Sequence, residues 1–299
     1  LDVAQLDLTV AATEDASMVG MGWMQEHHAY LDLMVRLAGP LAESFDLVHN
    51  HSLHHLPVAM ARTIPMPMLT TLHTPPTPWL ESAITVARGT GGRFVAVSAH
   101  TARSWRAAGD VPVLLNGIDV DRWPAGPGGD GLVWSGRMTP EKAPHLAVQV
   151  ARAAGMRLDL AGPISDPGYF DACVRPHLGD DVRHLGHLDH VELAAVVGQS
   201  AATLVTPAWA EPYGLVVAES LACGTPVLAF DRGGVGEVLD ASCGRLTPGG
   251  DVDAMVAALP EVLALDRVDA RRRAETWCSI DRMTDLYEHT YADMLELAA

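Results

Sequence analysis

The chain has 299 residues, 48% of them apolar, and a net charge of −17, so it is long enough for two domains with sizeable cores. That charge disfavours nucleic acid and anionic membrane surfaces as general partners. No run approaches the ~18 unbroken apolar residues of a membrane span, and Cys173, Cys223, Cys243 and Cys278 show no C-x-x-C spacing, which argues against a disulfide framework or a cysteine zinc site and for a reducing, cytoplasmic setting.

In chain order, Leu6 to Ala12 alternates as a strand does, and the spacing of Leu31, Met34, Val35, Leu37 and Ala38 predicts a helix over Ala29 to Ala42. Phe45 to Asn50 reads as strand, Leu56 to Arg62 as a short helix, Pro67 to His73 as strand and Thr77 to Arg88 as helix. Arg93 to Ser98, Ala99 to Ala108 and Val111 to Leu115 follow as strand, helix and strand. Strands alternating with helices imply a parallel sheet covered on both faces.

The pattern breaks from Asn116 to Gly131, where Trp123 to Gly131 is the richest Gly/Pro stretch of the chain. A domain boundary is expected there, with a first domain over residues 1–117, a second over 118–278 and a closing helix over 279–299. The second series predicts strand Leu132 to Ser135, helix Ala143 to Ala154, strand Arg157 to Ala161, helix Pro167 to Leu178, strand Val182 to Leu185 and helix His190 to Val197. Strand Ala202 to Thr206, a helix from about Gly214 to Cys223 and strand Val227 to Phe230 come next, before helices over Asp251 to Leu265, Arg267 to Trp277 and Ile280 to Leu297. No repeat period is visible.

The stretch from Glu211 to Val227 carries the chemistry. A strand-loop-helix unit puts the N-terminus of the helix at the carboxyl edge of a parallel sheet, where free N–H groups and the helix dipole favour an anion. Glu211 lies before the helix and Glu219 in its second turn. They can reach opposite ends of one ligand whose anionic middle rests on the N–H groups of Gly214, Leu215 and Val216. A sugar, a diphosphate and a ribose fit that order. Glu211 stands among Trp209, Pro212 and Tyr213, an apolar setting in which an idle carboxylate is costly.

Other residues support an anion site. Arg137 and Lys142 occupy the strand-to-helix turn after Ser135 and offer a planar fork and a point charge for a diphosphate; the plain alternative is two solvated loop charges. Gly162 in Ala161-Gly162-Pro163, and Gly186 before His187 and Leu188, close two further strands and would let a ligand approach the backbone, or serve as ordinary turns. His49, His51, His54 and His55 cluster without metal-ligand spacing, so they read as loop residues. His73 ends a strand before Pro75-Pro76; as a neutral imidazole it could donate to a sugar hydroxyl, or cap the loop.

Glu211 and Glu219 form an E-x7-E motif running into Gly224-Thr225-Pro226-Val227. With Gly136-Arg137, Glu141-Lys142, Ala161-Gly162-Pro163, Asn116-Gly117-Ile118-Asp119 and Asp46-Leu47-Val48-His49, the chain resembles the retaining glycosyltransferases of family 4, the sucrose-synthase and glycogen-synthase-like group. The resemblance spans about Leu6 to the C-terminus. It implies an α/β chain of GT-B fold, two Rossmann-like domains with parallel sheets facing across a cleft and a last helix that returns to the first domain. Arg137 and Lys142 would neutralise the departing diphosphate, Glu211 would contact the donor sugar, and Glu219 would hold the ribose hydroxyls. Gly162, Tyr213, Gly214, Leu215 and Val216 count with the donor contacts, His187 and Leu188 with those to the base. His73 matches the family's histidine near the transferred sugar, and Ser98 matches a serine facing the cleft.

The resemblance implies a family that needs no divalent metal and no cofactor, the nucleotide-diphosphate-sugar (UDP- or GDP-linked) being a substrate. The expected reaction is sugar transfer to an acceptor hydroxyl with retention of configuration, in a bacterial-like cytoplasmic enzyme. A nucleotide-sugar epimerase or hydrolase, or a silent nucleotide-sugar-binding subunit, are the rival readings. Met21, Trp23, Met24 and Trp79, in segments read as loops over Gly20 to Ala29 and Thr74 to Leu80, suit either plain packing or an apolar or aromatic acceptor, a small secondary-metabolite or lipid-like molecule. Two departures are visible: Ala143 stands where a glycine often follows the lysine, and the resemblance implies that an initial strand and Gly-rich loop, roughly 35–45 residues of a doubly wound domain, precede the equivalent of Leu6.

Overall fold

The computed structural model describes residues 21–298; the strand expected over Leu6 to Ala12 lies outside them. The chain divides into two compact units. The described residues up to Val97, Thr101–Val113 and those from Glu288 on form the first, and Ser98–His100 with Leu114–Tyr287 form the second.

The first unit contains α1 (Met21–Ala38), β1 (Val48–Asn50), α2 (Leu56–Met60), β2 (Met68–Leu72), α3 (Pro78–Ala87), β3 (Arg93–Ala96) and most of α4 (Ala99–Ser104). Its three strands are parallel, in the order β1-β2-β3, and β2 is buried at all five positions. Met34 and Leu37 of α1 pack with Val58, Leu72, Leu80, Ile84 and Trp105 in its core.

Three expectations change here. The helix expected over Ala29 to Ala42 starts earlier, at Met21, and stops at Ala38 because Gly39-Pro40 cannot continue it; residues read as a loop are thus its first turns. Val111 to Leu115 is not a strand: Ala96 pairs with Val113 in a single bridge and donates to Pro112 O, and Pro112 has no N–H with which to extend a ladder. The helix from Ala99 breaks at Trp105, whose ring is buried and whose indole N–H donates to Thr74 O at 2.7 Å.

The second unit holds a six-stranded parallel sheet in the order β6-β5-β4-β7-β8-β9. Its elements are β4 (Leu132–Ser135), α5 (Pro144–Ala153), β5 (Leu158–Ala161), α6 (Pro167–Cys173), β6 (Val182–Gly186), α7 (His190–Gly198), β7 (Ala202–Val205), α8 (Leu215–Ala222), β8 (Val227–Phe230), α9 (Val235–Val238), β9 (Gly244–Thr247), α10 (Val252–Leu263), α11 (Arg267–Trp277) and the first turns of α12 (Ile280–Ala298), whose residues from Glu288 on belong to the first unit. The order reverses between β4 and β7, the point where ligands enter doubly wound sheets at the carboxyl edge. Strands β7 and β8 are buried at every position, which explains their apolar sequence, broken only at Thr203, whose hydroxyl pairs with that of Ser220.

Aspartates start the helices: Asp166, Asp251 and Asp266 each accept a hydrogen bond from the first turn, and Asp189 with Glu192 closes a capping box on α7. The helix expected to run to Leu178 ends at Cys173, with a tighter turn over Arg175–His177 around Pro176. Strand β9 escapes the sequence reading because four residues with an exposed edge carry almost no pattern.

Helix α11 owes its docking to arginines rather than to an apolar stripe. Arg267 donates to the carbonyls of Ser200 at 3.0 Å, Gly198 at 2.9 Å and Cys223 at 3.2 Å, and to Thr225 Oγ1 at 2.9 Å. Arg271 donates to Val120, Trp123 and Ala222. Gly198 and Ala222 are the last residues of α7 and α8, whose carbonyls have no partner within their own helix; Gly198 O also accepts from the Gly128 N–H. Arg267→Ala is expected to destabilise the protein by roughly 2–4 kcal/mol, since several charge-assisted hydrogen bonds vanish together. Urea denaturation checks this; Arg272→Ala, at an exposed ion pair, should stay within about 0.5 kcal/mol.

Candidate functional site

At the carboxyl edge of β4 and β5 the chain makes two glycine turns packed back to back. Gly136 donates to Ala161 O at 2.9 Å and Gly162 to Gly186 O at 2.8 Å. Gly162 has φ +142°, and a Cβ placed on it would lie 1.8 Å from Gly136 O. Only glycine fits this approach. Gly162 thus stands where the sequence reading put it, at the edge of the sheet.

The turn after β4 carries Arg137 and Lys142. Arg137 is exposed and 3.5 Å from Glu141. Ala143, fully buried, caps α5 in the left-handed region with φ 49° and ψ 51°, so the alanine keeps the backbone that a glycine would adopt more easily. Lys142 turns inward: its Nζ donates to both oxygens of Glu211, at 2.9 and 2.7 Å, and lies 5.5 Å from the centre of the Trp209 ring. The Trp209 indole N–H donates to Glu211 Oε2 at 2.8 Å. With 14% of its side chain exposed, against 25% for Lys142, Glu211 is held by three hydrogen bonds from two donor groups.

The backbone of Glu211 is fixed as well. It bridges Gly233, and Gly234 donates to Glu211 O at 2.7 Å. Gly233 has φ +72°, and a Cβ there would meet Glu211 O at 2.1 Å. Gly234 packs on Ser98, which is fully buried. Glu237, one turn on, accepts from the N–H groups of Ala99 at 2.7 Å and His100 at 2.9 Å. Trp209, Gly233, Gly234 and Glu237 were not singled out as site residues by the sequence reading. The legible signal was a Gly-Gly pair after a strand with an acid three residues later; the reach of the indole had none.

Helix α8 opens at Gly214, itself left-handed with φ 95°, leaving the first-turn N–H groups of Leu215 and Val216 at its start. Five residues after Gly214, the side chain of Glu219 has no hydrogen-bond or ion-pair partner among the described residues. Burial raises its carboxyl from the ordinary 4.5 to about 7. A folded-state value above the unfolded one means the folded protein binds more protons between these pH values, so the contribution present at low pH is lost as pH rises toward 7. Relative to the parent, Glu219→Gln should gain up to about 3 kcal/mol at pH 8 and nothing near pH 4.5, as read by urea denaturation at both pH values.

Tyr213 was expected among the donor contacts, yet its side chain is 2% exposed and its hydroxyl faces the Cys278 thiol, burial raising its titration strongly. Only its backbone borders the loop. Ser98 is likewise enclosed. His187 is exposed and Leu188 half-buried, just after β6. His73 belongs to the first unit, after β2. Its Nε2 is 2.9 Å from His51 Nδ1, and burial first, then His51, lowers its titration. His49 bridges Tyr291 and Thr71 at 2.6 and 2.8 Å and is lowered to about 4, mainly by burial. Thus Lys142, Glu211 and Gly162 gather with the start of α8 in one unit, and His73 stands with two other histidines in the other. Among the described residues no group of three or more histidines, cysteines or carboxylates is placed to hold a metal ion, and no helix is long and apolar enough to cross a membrane.

Comparison with known proteins shows the family and the fold. The family described as "Glycosyl transferases group 1" matches residues 126–276 and that described as "Glycosyltransferase Family 4" residues 19–122. Glycogen synthase of Mycobacterium tuberculosis is 30% identical over 271 residues, covering 77% of this chain and 62% of that protein. The D-inositol 3-phosphate glycosyltransferase of Mycolicibacterium smegmatis is 31% identical over 179 residues, 54% of this chain and 41% of that protein. The chain therefore spans less than two thirds of the length of these relatives. Among solved structures, Anabaena HepE in complex with UDP and glucose superposes with a TM-score of 0.72 at 17% identity, covering 88% of this chain and 82% of that one. Sucrose-phosphate synthase from Thermosynechococcus elongatus gives 0.71 at 20% identity, covering 92% and 81%. At such identities these structures establish the fold alone.

Proposed function

Because this chain belongs to the group 1 glycosyl transferases and has their GT-B fold of two Rossmann-like units, we propose that it transfers a sugar from a nucleotide-diphosphate-sugar to an acceptor hydroxyl, with retention and without a divalent metal. The observation that carries this reading is the Lys142–Glu211 pair beside the start of α8, at the reversal of strand order. A diphosphate laid on the N–H groups of Leu215 and Val216 meets the helix dipole, and Lys142 and Arg137 supply the positive charge that a metal supplies elsewhere. Glu211 takes a hydroxyl of the donor sugar and Glu219 the ribose hydroxyls. His187 and Leu188 border the base, and Gly162 lets the donor approach the backbone. The C1–O bond to the phosphate breaks, the acceptor oxygen bonds C1 from the same face, and its proton passes to the departing phosphate. The donor is a UDP- or GDP-linked sugar. Four free cysteines support work in the cytoplasm.

The test is incubation with UDP- and GDP-sugars, with and without EDTA, followed by analysis of the released nucleoside diphosphate and the anomeric configuration of the product by NMR. Release that survives EDTA, with the donor's configuration kept, is expected. An inverted product overturns retention, activity restored only by Mg²⁺ or Mn²⁺ overturns metal independence, and no release from any donor overturns the enzyme.

A further inference from the structure

The first unit carries a second cluster of rings apart from the residues described above. Trp23 and His27 come from the first turns of α1, His54 and His55 from the segment between β1 and α2, and Trp79 from the first turn of α3. Strands β1 and β2 run into the segments bearing His54, His55 and Trp79, so the cluster stands at the carboxyl edge of the first sheet, where parallel α/β sheets take ligands. The rings are contiguous. Trp23 stacks on His27 at 5.0 Å between centroids and meets Trp79 at 6.4 Å; His55 stacks on Trp79 at 5.6 Å and on His54 at 4.5 Å. Tyr30 backs them, stacked on His54 at 4.8 Å.

Two features separate this cluster from ordinary packing. Trp79 is 65% exposed, a flat apolar ring left in water, whereas His54 is only 7% exposed. His54 Nδ1 accepts the Leu56 N–H at 3.2 Å, which puts the imidazole proton on Nε2. That Nε2, like His27 Nδ1, is shut from solvent with no hydrogen-bond partner. Buried polar atoms of this kind are rare, and each calls for an explanation such as a ligand.

The chemistry of the rings narrows the occupant. No lysine, arginine or carboxylate is among the stacked rings; Arg62 lies beyond the other end of α2, in the groove between α2 and α3 that His55 and Trp79 also line. Burial first, then the neighbouring imidazoles, holds His54 at about 4 and lowers His55, so both are neutral near pH 7. A neutral imidazole donates at one nitrogen and accepts at the other, as a hydroxyl requires. An indole face takes the apolar face of a ring. A purely hydrocarbon occupant would leave the imidazole nitrogens unsatisfied, and an anion would find no cation among the rings themselves.

We propose that this cluster binds a neutral hydroxylated ring, a sugar or cyclic polyol without phosphate or carboxylate, stacked on Trp79 with its hydroxyls met by His27, His54 and His55. Calling this ring the acceptor rests on the glycosyltransferase reading above; the binding site does not.

The test is ligand-observed NMR titration of the parent and Trp79→Ala proteins with methyl α-D-glucopyranoside and myo-inositol, and with glucose 6-phosphate and myo-inositol monophosphate as charged counterparts. UDP is titrated in parallel. Trp79 is exposed, so alanine leaves the core intact. The neutral probes should bind more tightly than the charged ones, and Trp79→Ala should weaken them about tenfold, the scale of one lost stacking contact, with UDP affinity held within about twofold. Neutral probes that do not bind, that bind equally to Trp79→Ala, or that bind more weakly than their phosphates overturn the proposal. Trp79-dependent binding of neutral probes by a protein that ignores UDP and every sugar donor keeps the ring site and removes the name acceptor.

Discussion

Replacing Lys142 by methionine is expected to lower sugar transfer about 10²–10³-fold, the scale of removing one preorganised donor to a developing negative charge. Methionine keeps the length of the stem and deletes the ammonium that lies 2.9 and 2.7 Å from the Glu211 oxygens. Glu211 then keeps only the Trp209 indole among its side-chain donors. Fully buried pairs lose about 3–5 kcal/mol when one partner is removed. Here a quarter of the Lys142 side chain is exposed, and solvent screening reduces the expected loss to about 1–3 kcal/mol. The double variant Lys142→Met, Glu211→Gln should recover much of that stability, because no unpaired carboxylate remains, and none of the transfer. Thermal denaturation and turnover measured on the same preparations separate the two effects. Turnover within a few-fold of the parent in Lys142→Met would sink the assignment of Lys142 to the departing diphosphate.

The second large effect is structural. Gly162→Ala should cost more than about 4 kcal/mol, the range reserved for a substitution that the backbone cannot accommodate. The new Cβ would lie 1.8 Å from Gly136 O and 2.7 Å from Gly136 C, and both are main chain, so no flexible side chain can move aside. Gly155→Ala is the matched control. Gly155 also has positive φ, +66°, but nothing lies within 4 Å of its ideal Cβ, so only the left-handed backbone resists, at about 1–2 kcal/mol. Chemical denaturation of both proteins checks the difference. Equal losses would mean that the two turns do not approach as described.

The alternation of strands and helices, and the order of elements from Leu132 to Phe230, were readable because parallel strands covered on both faces leave long apolar runs and helices leave a period. So was the loop-to-helix passage at Gly214. What escaped the reading depended on backbone direction or on partners distant in sequence. Pro112 was counted in a strand it cannot extend, and the first turns of α1 were read as a loop because Gln25, Glu26, His27 and His28 interrupt the apolar stripe. Tyr213 resembled a ligand contact by position, but the left-handed Gly214 beside it does not reveal that its ring turns to Cys278. The indole of Trp209 reaches Glu211 only through the course of the loop after β7, and the pairing of His51 with His73 needs β1 and β2 side by side.

The first unit takes its described residues from both ends of the sequence: Tyr291, on α12, hydrogen-bonds His49 next to Thr71 of β2. Synthesis runs in one direction, and domains tend to fold as they emerge. Every residue of the second unit up to Tyr287 is therefore made before the helix segment from Glu288 that the first unit needs. Until then β1 and its histidines are without the tyrosine that holds them, so on the ribosome the unit begun first is the one completed last.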